Sequence, residues 1–146
     1  MVNGGKIDYN PVSWQEWQEL AFKRGVDADR LLQAGSDVAA VYMAGYVVEC
    51  ALKALWLVSG FSPPRSGKHG HDLLHLWQKM ARNLRVVAEQ EQSGQFFLQQ
   101  WSTDLRYCRA VPVATPAPAQ LIRGAKRLFG LIQQAIRQQQ SKANRR

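Results

Sequence analysis

Glu49 and Lys53 stand four residues apart inside the otherwise apolar stretch Ala44-Gly-Tyr-Val-Val-Glu-Cys-Ala-Leu-Lys-Ala-Leu55. On a helix that spacing stacks them one turn apart with the acid on the N-terminal side, the order that favours an ion pair. Such a pair can close the edge of a bundle, or it can form a buried polar patch facing a partner or substrate. A second group is His69, His71 and His75, with Asp72 beside them. Metal binding needs several convergent ligands, and no Cys, Asp or Glu cluster completes a set here, so neither a metal nor a cofactor is expected. His71 falls at a helix start, where it can cap, and His75 lies one turn later. The third group is Trp101-Ser-Thr-Asp-Leu-Arg-Tyr107. Asp104 and Arg106 can pair locally, or Arg106 and Tyr107 can join Glu49, Lys53, His71 and Asp72 in a ligand or partner site; spacing leaves both open. Arg65-Ser-Gly-Lys-His69 lacks the glycine spacing and the preceding strand of a phosphate-binding loop.

The elements that must position these groups read as helices throughout. Ser13-Trp-Gln-Glu16 has capping-box spacing and opens a helix to about Gln33, with Trp14, Trp17, Leu20, Ala21, Ala28, Leu31 and Leu32 on its apolar side and Gly25 a possible irregularity. Gly35 ends it and Ser36 caps the next. In the second helix Val38, Val41, Tyr42, Gly45, Val48, Leu52, Leu55 and Trp56 recur at three- and four-residue steps, which makes one face continuously apolar. Gly45 costs about 1 kcal/mol relative to Ala in mid-helix, and a close helix–helix crossing there would compensate. Gly60 and Pro63-Pro64 end the helix, and residues 60–70 form a loop. His71-Asp72 begins a third helix with Leu73, Leu76, Trp77, Met80 and Leu84. Residues 89–94 read as a turn. A fourth helix starts near Gln95 and carries Phe96, Phe97, Trp101 and Leu105, until Pro112, Pro116 and Pro118 break the chain. The last helix starts near Ala117 and aligns Leu121, Ala125, Leu128, Ile132 and Ile136, with Phe129 alongside. No alternating run bounded by turn residues suggests a strand, and there is no internal repeat. The expectation is an all-α bundle of about five helices over residues 13–137, with a flexible lead at 1–12 and a basic, frayed tail at 138–146.

The 146 residues suit one domain that closes its own core. The net charge of +8 is unevenly placed. No acidic residue follows Asp104, whereas Arg106, Arg109, Arg123, Lys126, Arg127, Arg137, Lys142, Arg145 and Arg146 do. That asymmetry can attract nucleic acid or an acidic partner, or it can be a solvated face. Cys50 and Cys108 are far apart and suit two reduced thiols. The N-terminus has no apolar run of a signal peptide. Val38 to Val58 approaches membrane length, but it contains Glu49 and Lys53 and keeps helical spacing, so it reads as a core helix. A cytoplasmic protein without a membrane span is expected.

Taken in order, the helix ending in Leu31-Leu32, the block Ala40-Val-Tyr-Met-Ala-Gly-Tyr-Val-Val-Glu-Cys-Ala-Leu-Lys-Ala-Leu55, His71-Asp72-Leu73 and Leu105-Arg106-Tyr107 resemble the HEPN domain. The likeness spans Trp14 to about Ile136, and the Glu–Lys block is its most specific part. It implies an α-helical bundle that commonly dimerises and often occurs in toxin–antitoxin, defence or nucleotidyltransferase-associated systems. Many members are metal-independent RNases that use an Arg followed four to six residues later by a His. Here Arg106 can stand for that arginine, but Ala110 to Val113 supply no histidine and none follows His75. Arg65 and His71 have a compatible spacing before the third helix, the wrong place. The leading expectation is therefore a non-catalytic domain that binds RNA, a nucleotide or a protein partner, as a homodimer. The alternatives are an RNase using Arg106 with His71 or Tyr107, and a partner subunit of a separate nucleotidyltransferase.

Overall fold

A computed structural model describes residues 11–64, 71–80, 92–112 and 115–145. Among these residues five α-helices follow in order: α1 Trp14–Gln33, α2 Asp37–Val58, α3 Leu73–Met80, α4 Gln92–Gln95 and α5 Pro118–Asn144. A π-helical turn, Phe96–Gln100, continues α4, and a 3-10 turn, Thr103–Tyr107, comes before α5. The fold is all-α, and there is no strand among the described residues. Leu84, the loop residues 65–70 with Arg65 and His69, and residues 89–91 of the expected turn lie outside the described residues.

Helix α2 is the central element, packed against α1, α3, α5 and the 3-10 turn. Its burial extends beyond one stripe: Ala40, Val41, Ala44, Val47, Val48, Ala51, Leu52 and Leu55 are all in the core. It is long and apolar enough to cross a membrane, but 72% of its apolar window is buried by the rest of the chain, as for a core helix. Small residues on α2 let its neighbours come close, and the large side chains Leu73, Leu76, Trp77, Phe97, Leu121, Leu128, Ile132 and Ile136 fill the space around it. Trp56 donates its indole N–H to the Leu76 carbonyl at 2.9 Å, tying α2 to α3. Trp56, Trp77 and Trp101 are buried and Trp14 and Trp17 pack partly buried on the same core. All five tryptophans thus pack on one core.

The helix ends follow local chemistry. Ser13 Oγ accepts from the Glu16 N–H at 3.2 Å. The Glu16 carboxylate reaches back to the Ser13 hydroxyl, at 2.9 Å, rather than to the backbone. Gly35 (φ 78°) closes α1 in a left-handed conformation that a side chain would strain. Ser36 sits at the N-cap of α2, but its hydroxyl makes no capping bond, contrary to expectation. Pro118 takes the first turn of α5, where a missing N–H costs nothing, and Gln120 accepts from the Ala117 N–H at 3.1 Å.

Three further expectations are corrected. The segment after Gln95 is not a continuous fourth helix. Among the described residues the helix is already present at Gln92, passes into the π turn and stops at Trp101, which is extended (ψ 134°). Ser102 then accepts from the Asp104 N–H at 3.2 Å and starts the 3-10 turn, the local competition with helix that serine offers. The last helix does not fray at 138: it runs to Asn144, since residues 138–144 contain neither Gly nor Pro and Gln, Lys and Ala hold a helix well. Third, the close approach at Gly45 is made by the Trp101 indole rather than by a neighbouring helix backbone, and a methyl at Gly45 would overlap that ring.

Candidate functional site

The apolar face of α2 turns Glu49 and Lys53 into the interior, where they are 3% and 1% exposed. This is a buried pair and not one at the bundle edge. Lys53 Nζ donates to Glu49 Oε2 at 3.3 Å and lies 5.1 Å from the Trp17 ring centroid, a cation–π contact with α1. The second carboxylate oxygen is taken from the other side: His71 Nδ1 is 2.6 Å from Glu49 Oε1. An ionised carboxylate can only accept, so beside it Nδ1 is the donor. The His71 side chain is 37% exposed. It therefore joins the buried pair to the surface.

His71 does not cap α3. Asp72 does, with Oδ1 accepting from the His75 N–H at 3.1 Å, so the Asp72 carboxylate is engaged at the helix start. His75 lies beside the Trp56 ring, with centroids 6.1 Å apart. Among the described residues no three His, Cys, Asp or Glu side chains converge as metal ligands.

Two tyrosines one turn apart on α2 continue the cluster outwards. The Tyr42 and Tyr46 hydroxyls are 2.8 Å apart. The Tyr46 ring meets His71 edge-on at 6.0 Å and Trp101 edge-on at 5.4 Å, while Tyr42 stacks on Trp101 at 6.2 Å. Trp101 is fixed by its place over Gly45 and by its indole N–H, which donates to the Tyr42 carbonyl at 3.3 Å. Burial, then the hydrogen bond with Tyr42, pushes the Tyr46 hydroxyl well above its ordinary pKa, so it stays protonated and able to donate. Beneath it, burial and the Glu49 charge push the Cys50 thiol up to about 12, which leaves it unreactive.

The 3-10 turn delivers Arg106 to this tyrosine pair. Interaction with Tyr42 first and Tyr107 second raises the guanidinium above its ordinary pKa. It also lies 4.8 Å from the Tyr107 ring centroid. Arg106 is exposed, and Tyr107 is 75% exposed. The guanidinium thus turns to the tyrosines and not to Asp104. The surface that results carries a guanidinium, an open aromatic face, two phenol hydroxyls and a carboxylate-held imidazole.

The HEPN domain model matches residues 14–137. The chain belongs to the HEPN domain family. No curated protein and no solved structure matches it. In this HEPN domain the sequence candidates Glu49, Lys53 and His71 form one hydrogen-bonded group; Arg106 approaches it through Tyr42 and Tyr46, and Tyr107 lies against Arg106. Asp72 stands next to His71 but is occupied in the cap. The site residues that sequence reasoning misses are Tyr42, Tyr46 and Trp101. Tyr42 and Trp101 read as core positions, which hides their second role of spacing the imidazole from the guanidinium. The signal available is polar: two tyrosines four apart on the face that carries Glu49.

Proposed function

We propose that this HEPN domain binds single-stranded RNA at the surface made by Arg106, Tyr107, His71 and the Tyr42–Tyr46 pair, and does not cut it. The observation that supports this is the exposed Arg106 guanidinium held against the exposed Tyr107 ring. A guanidinium pairs with a phosphate through charge-assisted hydrogen bonds, and an open aromatic ring beside it offers a base a stacking platform. Cleavage needs one group to take the ribose hydroxyl proton and another to protonate the departing oxygen. The cluster offers one imidazole and a cation, and losing one acid–base partner typically removes about 10²–10⁴ in rate. In a metal-free incubation with mixed-sequence RNA, the wild type is expected to leave the strand intact, and Arg106→Ala to weaken binding.

One observation favours a second reading, a metal-independent RNase. Glu49 orients His71 as a carboxylate orients a general base, leaving Nε2 free to take a proton while Arg106 steadies the phosphate charge. Cutting by the wild type that disappears in His71→Ala or Arg106→Ala, with the fold intact, would put this reading in place of the first.

A homodimer, and a place in a toxin–antitoxin, defence or nucleotidyltransferase-associated system, belong to the same proposal and are supported by family membership alone. Light scattering is expected to give twice the monomer mass; a mass near 16.5 kDa at every concentration would contradict the dimer.

A further inference from the structure

Helix α5 continues as an ordered helix through Asn144, and this puts the C-terminal cations in register. At 100° per residue, Arg123, Arg127, Gln134, Arg137, Gln138, Ser141 and Arg145 fall on one side of the helix, all exposed. The opposite side, Leu121, Leu128, Ile132 and Ile136, is buried against the bundle. From Arg123 to Arg145 the stripe runs about 33 Å at 1.5 Å per residue. Gln120, Gln92 and Ser93 flank its first turns in an open cleft with Arg123 and Arg127. Ser93 can sit there because Gly124 has no side chain: a Cβ would overlap it. Lys126 stands at the margin of this stripe, where it pairs with Asp29 of α1.

Arg123, Arg137 and Arg145 stand exposed along the length of this side. Helix α5 itself carries no acidic residue. We infer that the outer face of α5 is a docking surface for the phosphate backbone of single-stranded RNA. The complementarity is of charge and of hydrogen bonding: guanidinium groups are interspersed with Gln and Ser donors, and the stripe bears no aromatic ring. It therefore tracks backbone without reading bases. A bilayer is a poorer partner, because interfacial helices insert an apolar face and that of α5 is spent on the core. The inference rests on the RNA reading above but uses a different set of residues.

The test is fluorescence anisotropy with a labelled single-stranded RNA over about 50 to 200 mM salt, the range in which counterion release is steep. The wild type is compared with Arg123→Gln/Arg137→Gln/Arg145→Gln and with Arg106→Ala. Glutamine keeps helix propensity, and circular dichroism checks each fold. The log–log salt slope is expected to flatten by about 2 in the triple variant, at about 0.7 for each phosphate no longer neutralised, and affinity at low salt to fall by more than about tenfold. An unchanged slope in a triple variant that still binds RNA would overturn the α5 surface and leave the RNA reading standing. A flattened slope in the triple variant, with no change in Arg106→Ala, would uphold the α5 surface and remove Arg106 from the site. A folded wild type that ignores RNA even at low salt would overturn both and leave the stripe to an acidic protein.

Discussion

Replacing Glu49 with alanine is expected to destabilise the domain by about 3–5 kcal/mol, the usual cost of stranding a buried charge. Lys53 is 1% exposed, and among the described residues its ammonium would keep the Trp17 ring alone as a partner. His71 would lose the acceptor that holds it on α2. Urea denaturation measures the destabilisation directly. The double variant Glu49→Leu/Lys53→Met should recover much of it, since a buried ion pair replaced by apolar side chains of similar volume is often neutral or better. A single variant within about 1 kcal/mol of wild type would show that water reaches Lys53 and that the pair is not an interior one.

Gly45→Leu is expected to cost about 1–3 kcal/mol by overpacking. The new side chain would occupy the place of the Trp101 indole, so the ring must leave. Its departure would remove the stack under Tyr42, the edge contact with Tyr46 and the bond to the Tyr42 carbonyl. RNA affinity should fall along with stability, and tryptophan emission should shift to the red as Trp101 meets water. A variant that melts at the parent's temperature with unchanged emission would mean that Trp101 does not lie on Gly45.

The helices of the bundle are legible in the sequence because their apolar residues repeat at helical spacing. α1, α2, α3 and α5 each carry that repeat, and the structure follows it. The stretch from Phe96 to Tyr107 has the same spacing yet does not form one helix. Periodicity records which residues go inside; it does not record that Trp101 is drawn out to cover Gly45, or that Ser102 offers the backbone a competing turn. The site is legible in part for a related reason. Glu49, Lys53 and His71 stand out as ionisable residues in apolar or capping positions, and Arg106 and Tyr107 as a cation and an aromatic ring side by side before the proline-rich break. Tyr42 and Trp101 look like core in a one-dimensional reading because they are largely core: the same rings that pack on α2 also carry the hydroxyls and edges that link His71 to Arg106. Composition misleads at the end of α5. A run of Gln, Lys and Arg looks like a tail, but with no glycine or proline it simply continues a helix that packed structure has already nucleated.

The Arg106 surface is proposed to hold RNA without breaking it. A metal-free gel-shift titration with an end-labelled single-stranded RNA reads binding and strand length in the same sample. The wild type is expected to shift RNA of full length, and Arg106→Ala to require roughly tenfold more protein or above for the same shift, as removal of one charge-assisted hydrogen bond implies. Shortened RNA in the wild-type lanes, or identical shifts from the two proteins, would contradict this proposal.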